Sequence, residues 1–257
     1  MTNFLKLGTQ KIEVQWHQKR QKDQSTLIFL HEGLGCTGMW KDFPRKISQE
    51  TGCPSLVFSR FGYGNSDPCP TPWKINFMHK EALSILPEII KETQIKDYIL
   101  IGHSDGGSIG TIFAGSPYTK GLKGLITEAA HVFCEQITVD CIQQAKINYE
   151  QHTLRQGLEK YHGKNTDNAF RGWNDVWLNP RFINWNIEKY LCRIKVPMLA
   201  IQGKGDPYGT KKQLESIQRH VNHAKTYLID DCRHSPHLEQ PEKVLNIMVQ
   251  FIHKIKG

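Results

Sequence analysis

Hydrophobic positions along the chain fall into short runs separated by polar, amphipathic or glycine-punctuated stretches. Lys11 to Trp16 alternates Ile12, Val14 and Trp16 with polar neighbours, the period of two that marks a half-buried strand. A polar turn, Gln18 to Gln24, follows it. Thr26–Leu30, Pro54–Phe58, Tyr98–Ile101, Gly121–Thr127, Val196–Gln202 and Ala224–Ile229 read as further strands, and the continuous apolar runs among them suit strands buried on both faces. Between them lie helical patterns over Met39–Glu50, Met78–Glu92, Ile109–Ala114 and Gln213–His220, and a last one starting near Pro241. Pro87 is expected to kink or divide the second of these. From Val132 to about Tyr190 the strand-like runs vanish, and tryptophans stand at 173, 177 and 185.

Strands alternating with helices predict an α/β fold, a mainly parallel sheet with helices on both faces. The helical stretch interrupting that alternation predicts a cap, residues 131–190, over a core formed by 1–130 and 191–257. In open parallel sheets the ligand site lies at the carboxyl ends of the strands.

Composition narrows the partners. No apolar run approaches the ~18 residues that a membrane span needs. Met1 to Lys6 has no apolar signal core, so no secretion signal is read. Seven cysteines without C-x-x-C spacing argue against a disulfide framework and a zinc site, and predict a reducing, cytoplasmic compartment with no metal or other cofactor. The net charge of +8 comes partly from separate short groups, His17 to Lys22, Lys211-Lys212 and His253 to Lys256, which lack interleaved aromatics. A solvated basic surface is expected, with neither a nucleic-acid nor a membrane partner.

The chemistry centres on Gly102-His103-Ser104-Asp105-Gly106, a G-x-S-x-G pattern between a strand and a helix. That context strains the serine backbone and lifts its hydroxyl out of the sheet. An activated serine needs a base, and the base needs a group that fixes its tautomer. His234 follows the last strand and reaches the same sheet edge; His237, on the first helical turn beyond, is the alternative base. Asp206 follows the Val196–Gln202 strand and is the orienting acid. The order Ser104, Asp206, His234 gives the triad with each member after its own strand. Backbone N–H groups of Gly33 and Asp105 are the expected oxyanion donors, with Leu34 the alternative to Gly33.

These pieces resemble the α/β-hydrolase superfamily of serine hydrolases. The resemblance rests on His31-Glu32-Gly33-Leu34-Gly35, on Ser59 to Ser66, on the elbow, on the Asp206 loop and on His234 to Pro241. It implies the α/β-hydrolase fold, with an eight-stranded sheet. The Ser-Asp-Gly-Gly elbow also resembles the valacyclovir hydrolase (biphenyl hydrolase-like) branch, which cleaves α-amino-acid esters. Glu32 is a departure, since many members carry glycine there.

The expected function is hydrolysis of a small-molecule ester, thioester, amide or lactone through an acyl-enzyme. Alternatives are carbon–carbon bond hydrolysis of the meta-cleavage type and a receptor-like binding module with little turnover. Glu32, Asp105 and Glu128 suggest an acidic pocket that selects a cationic substrate; the competing expectation pairs these carboxylates with Arg60 or Arg233, or turns them to solvent. Leu34, His131, Phe133, Trp173 and Trp177 are the remaining expected pocket residues.

Overall fold

A computed structural model describes residues 3–20 and 24–256. Gln21 and Lys22 of the basic group, and the middle of the predicted Gln18–Gln24 turn, lie outside them. Eight strands form one sheet: β1 (Asn3–Leu7), β2 (Gln10–His17), β3 (Thr26–Leu30), β4 (Ser55–Phe58), β5 (Tyr98–His103), β6 (Leu122–Glu128), β7 (Met198–Gly203) and β8 (Lys225–Ile229). Their order is β1-β2-β4-β3-β5-β6-β7-β8, parallel from β4 onward and antiparallel where β1 and β2 join. Seven of these answer to the predicted runs. The eighth, implied by the resemblance but by no apolar run, is β1: most of its residues are exposed, and Leu7 pairs with Gln10 across a tight turn at Gly8, whose φ is +57°.

The period of two sorts each buried strand between two cores. Leu27, Phe29, Ile99, Ile101, Leu199 and Ile201 pack with the helices Phe43–Thr51 and Pro241–Lys256 on one face. Ile28, Leu30, Leu100 and Ala200 pack on the other with Asp105–Ala114, Lys212–His220 and the inserted helices.

Two helical patterns are interrupted, the first against expectation. The predicted Met39–Glu50 helix is a 3-10 turn, Thr37–Trp40, then a helix, Phe43–Thr51, because Lys41 takes φ 55° and Pro44 sits in a first turn, where its missing N–H is not needed. The Met78–Glu92 pattern divides as Pro87 foretold. A wide five-residue π-helical turn, Glu81–Ile85, precedes Leu86–Glu92, and its breadth accommodates the proline ring.

Between β6 and β7 the chain runs through Gln136–Glu150, Thr153–His162, Thr166–Trp177, a 3-10 turn Pro180–Asn184 and Glu188–Leu191. The stem of this insertion is fastened to itself. Phe133 bridges Asn186, Cys134 N–H donates to Trp185 O at 3.0 Å, and Ile187 N–H donates to Val132 O at 2.8 Å. No helix among the described residues is long and apolar enough to cross a membrane.

Candidate active site

Ser104 lies in the turn between β5 and the helix Asp105–Ala114, at φ 51° and ψ −117°. A non-glycine residue in that region stores about 1–3 kcal/mol of strain. The flanking glycines let the turn be this tight: a Cβ on Gly102 would stand 2.3 Å from Gly106 O, and one on Gly106 would stand 1.9 Å from Leu30 O. Three loops then converge. Ser104 Oγ lies 3.0 Å from His234 Nε2, and His234 Nδ1–H donates to Asp206 Oδ1 at 2.8 Å. Asp206 also accepts from Tyr208 N–H at 2.9 Å. Burial raises the Asp206 pKa, but the His234 contact outweighs it and the carboxyl titrates below its ordinary range. A carboxylate can only accept, so it fixes the proton on His234 Nδ1 and leaves Nε2 to face the serine.

His237, the alternative base, is elsewhere. Its Nδ1 pairs with Glu128 Oε2 at 2.7 Å, both side chains are buried, and the pair is not part of the pocket wall. This also removes Glu128 from the expected acidic pocket.

Gly33 and Asp105 both line the pocket at Ser104. Asp105 is the first residue of its helix, so its N–H has no carbonyl one turn back to accept it. The loop carrying Gly33 is held by its carbonyls. Arg60 Nη2 donates to Glu32 O at 3.0 Å, Tyr63 O–H to Gly33 O at 2.8 Å, and His162 Nε2–H to Leu34 O at 2.9 Å. A trans peptide sets its N–H opposite its own C=O, so the N–H that follows each held carbonyl points away from the side chain holding it. From the sequence Arg60 is a candidate partner of the acidic side chains, Tyr63 is one member of a Gly-rich stretch with no assigned role, and His162 carries no signal.

The pocket is a cavity of about 270 Å³. Glu32, Leu34, His131, Trp173 and Trp177 line it as expected. Phe133 does not: just past His131 the chain turns into the stem, and Phe133 packs half-buried against the core there. Three inserted helices complete the wall with Thr138 and Ile142, Leu154 and Leu158, and the two tryptophans. The aliphatic members went unnoticed because helical spacing looks the same for a pocket and a core.

The charges sort unexpectedly. Glu32 Oε2 lies 3.7 Å from Nδ1 of buried His103, whose Nε2–H donates to His234 O at 2.7 Å. Burial raises Glu32, yet His103 outweighs this and lowers it to about 2. For His103 burial lowers the pKa, and Glu32 reverses that, raising it to about 8. Glu32 is therefore matched by an imidazolium, a partner that sequence reasoning did not name. Asp105 has less company. Trp177 Nε1–H donates to its Oδ1 at 3.2 Å, while Oδ2 is buried with no hydrogen-bond partner among the described residues. Burial pushes its carboxyl up to about 6 against the pull of Arg60. Burial and the neighbouring His234 lower His131 to about 4, so it is neutral at pH 7. No group of three or more metal-ligating side chains suited to a metal ion occurs among the described residues.

The alpha/beta hydrolase family profile matches residues 27–247. The chain belongs to that family. The hydrolase is 24% identical to a proline iminopeptidase of Saccharolobus solfataricus, over 89% of this chain and 85% of that one. It is 22% identical to the serine hydrolase BPHL of Mus musculus, over 93% and 83% respectively, in keeping with the narrower resemblance of its elbow. Among solved structures, an esterase from Exiguobacterium antarcticum superposes with a TM-score of 0.79 at 18% identity, covering 98% of the hydrolase and 100% of that chain. The hydrolase is thus an enzyme of a family whose members include esterases and peptidases.

Proposed function

We propose that the hydrolase cleaves a small ester, thioester, amide or lactone through an acyl-enzyme on Ser104. The observation that carries this reading is the Asp206–His234–Ser104 hydrogen-bond chain, at 2.8 and 3.0 Å. Ser104 Oγ attacks the carbonyl carbon as its proton passes to His234 Nε2, and Asp206 stabilises the imidazolium that forms. The developing oxyanion is met by the N–H groups of Gly33 and Asp105. His234 then protonates the leaving group, and water activated by the same imidazole releases the acid and frees Ser104.

The helical insertion, residues 131–190, serves as the cap, and its tryptophans and aliphatic side chains wall the acyl or leaving-group pocket. Within that pocket Asp105 favours a substrate bearing a cationic group. Its Oδ2 is unpartnered, whereas Glu32 is already matched by His103.

A fluorophosphonate probe is expected to label the protein at one site, and Ser104→Ala to abolish labelling. An intact, folded protein that stays unlabelled would sink the serine-nucleophile reading. A panel of p-nitrophenyl esters varied in chain length and charge then ranks the acyl groups.

A further inference from the structure

A second cavity, of about 420 Å³, lies outside the pocket at Ser104 and shares no lining residue with it. Arg60, Tyr63, Trp73 and Phe77 are among its walls. Lys74 and Lys80, both exposed, also line it. Two buried donors of this wall, Arg60 Nη1 and Trp73 Nε1, have no hydrogen-bond partner among the described residues. Arg60 is only 3% exposed and its other terminal nitrogen is engaged with Glu32 O. Leaving a buried donor unmade costs about 1–3 kcal/mol, and more for a charged group, so this wall is set up for an acceptor. Three cations stand against one carboxylate, Glu81, whose own ionisation is opposed by burial. The remaining lining is largely aromatic or aliphatic.

We propose that this cavity binds a small carboxylate with a flat apolar body, its oxygens taken by Arg60 and its body laid among Trp73, Phe77 and Tyr63. The site has a built-in connection. Arg60 and Tyr63 help hold the Glu32 and Gly33 carbonyls, with His31 Nδ1–H also donating to Glu32 O at 2.7 Å, so an acid on Arg60 draws on a guanidinium that helps hold the oxyanion loop. Binding itself does not depend on the proposed catalytic roles; only an effect on turnover would.

The test is a titration of the nitrogen-15-labelled full chain, carrying Ser104→Ala, with 4-fluorophenylacetate, followed through the indole N–H resonances. Trp73 lines the second cavity while Trp173 and Trp177 line the first, so the indoles tell the two sites apart. Loss of a peak in Trp73→Phe assigns it. The expected result is a saturable shift of the Trp73 resonance with one equivalent bound, the other two indoles unmoved. The matching amide, 4-fluorophenylacetamide, is expected to bind at least about tenfold more weakly, as loss of a charge-assisted contact requires. Lys80→Glu, at an exposed position, is expected to weaken the acid and not the amide, and provides a variant that leaves Arg60 in place. Equal binding of acid and amide, shifts confined to Trp173 and Trp177, or no saturable shift would each overturn the proposal.

Discussion

Asp105 works against the fold that holds it. Its carboxyl titrates at about 6 when folded and near 3.8 when free, because burial disfavours the charge. Below pH 3.8 the side chain is neutral in both states and costs nothing. As pH rises from there to 6 the unfolded chain ionises first, and the penalty grows to a plateau of roughly 3 kcal/mol at most. Asp105→Asn is therefore expected to raise the melting temperature at pH 7.5 and to leave it unchanged below pH 4. The same substitution is expected to remove any preference for an amino-acid ester over its N-acetyl counterpart. Intact protein should show that preference above pH 6 and lose it as pH falls and Asp105 takes up its proton. A variant with unaltered stability, or an unaltered preference, would speak against the charge placed there. The Glu32–His103 pair carries the opposite sign. Glu32's share of the stability is in place above pH 4.5 and is lost as pH falls through about 2. His103's share is in place below pH 6.5 and is lost as pH rises through about 8. Glu32→Gln should thus depress the melting temperature most between pH 5 and 6.5 and least above pH 8. A proton-resonance titration of His103 in that variant should move down from about 8, because burial is then opposed only by Glu128 and by the hydrogen bond to His234 O.

At the scale of elements, the elbow is a junction with no spare volume. Gly106→Ala would drive a Cβ into Leu30 O at 1.9 Å, a backbone atom that moves only if β3 moves. The expected outcome is a loss of several kcal/mol, on the order of a severe overpacking substitution, read as a fall in the denaturant midpoint. A midpoint unchanged in Gly106→Ala would mean that the junction relaxes elsewhere. The strand and its glycines were legible in the chain because each local choice agrees: β-branched run, glycine, serine, glycine, apolar helix. His237 and Phe133 were harder to place. Each lies within three residues of a predicted site residue, and one turn of helix or one bend at the stem removes it from the pocket. Arg60, Tyr63 and His162 were illegible as a group, since they meet at the Glu32–Leu34 carbonyls only after three separate segments have packed. A side chain that acts by holding another segment's backbone leaves no periodicity or motif behind.

For the whole molecule, the sheet was legible except at its border. Six of its strands are parallel, and most of these are buried on both faces and show it in composition; β1 is a half-exposed edge whose pairing with β2 owes more to a turn than to apolar residues. The insertion was visible as a change of texture, yet its internal packing was not. Its stem carries a consequence of another kind. The chain leaving β6 and the chain returning to β7 are zipped together by Phe133–Asn186 and the two flanking backbone hydrogen bonds before the first long inserted helix begins. Whatever lies beyond closes a loop whose ends are already fixed, and lengthening such a loop twofold adds only about 0.6 kcal/mol of closure entropy. Grafting the insertion of another family member between 135 and 185, with His162 and Trp177 kept because they bond Leu34 O and Asp105, should therefore leave a core that melts cooperatively and is still labelled at Ser104, while the preferred ester changes. A chimaera that neither melts cooperatively nor labels would mean that cap and sheet are one folding unit. A chimaera that melts cooperatively and labels would mean that the sheet can be inherited unchanged while the inserted helices are replaced.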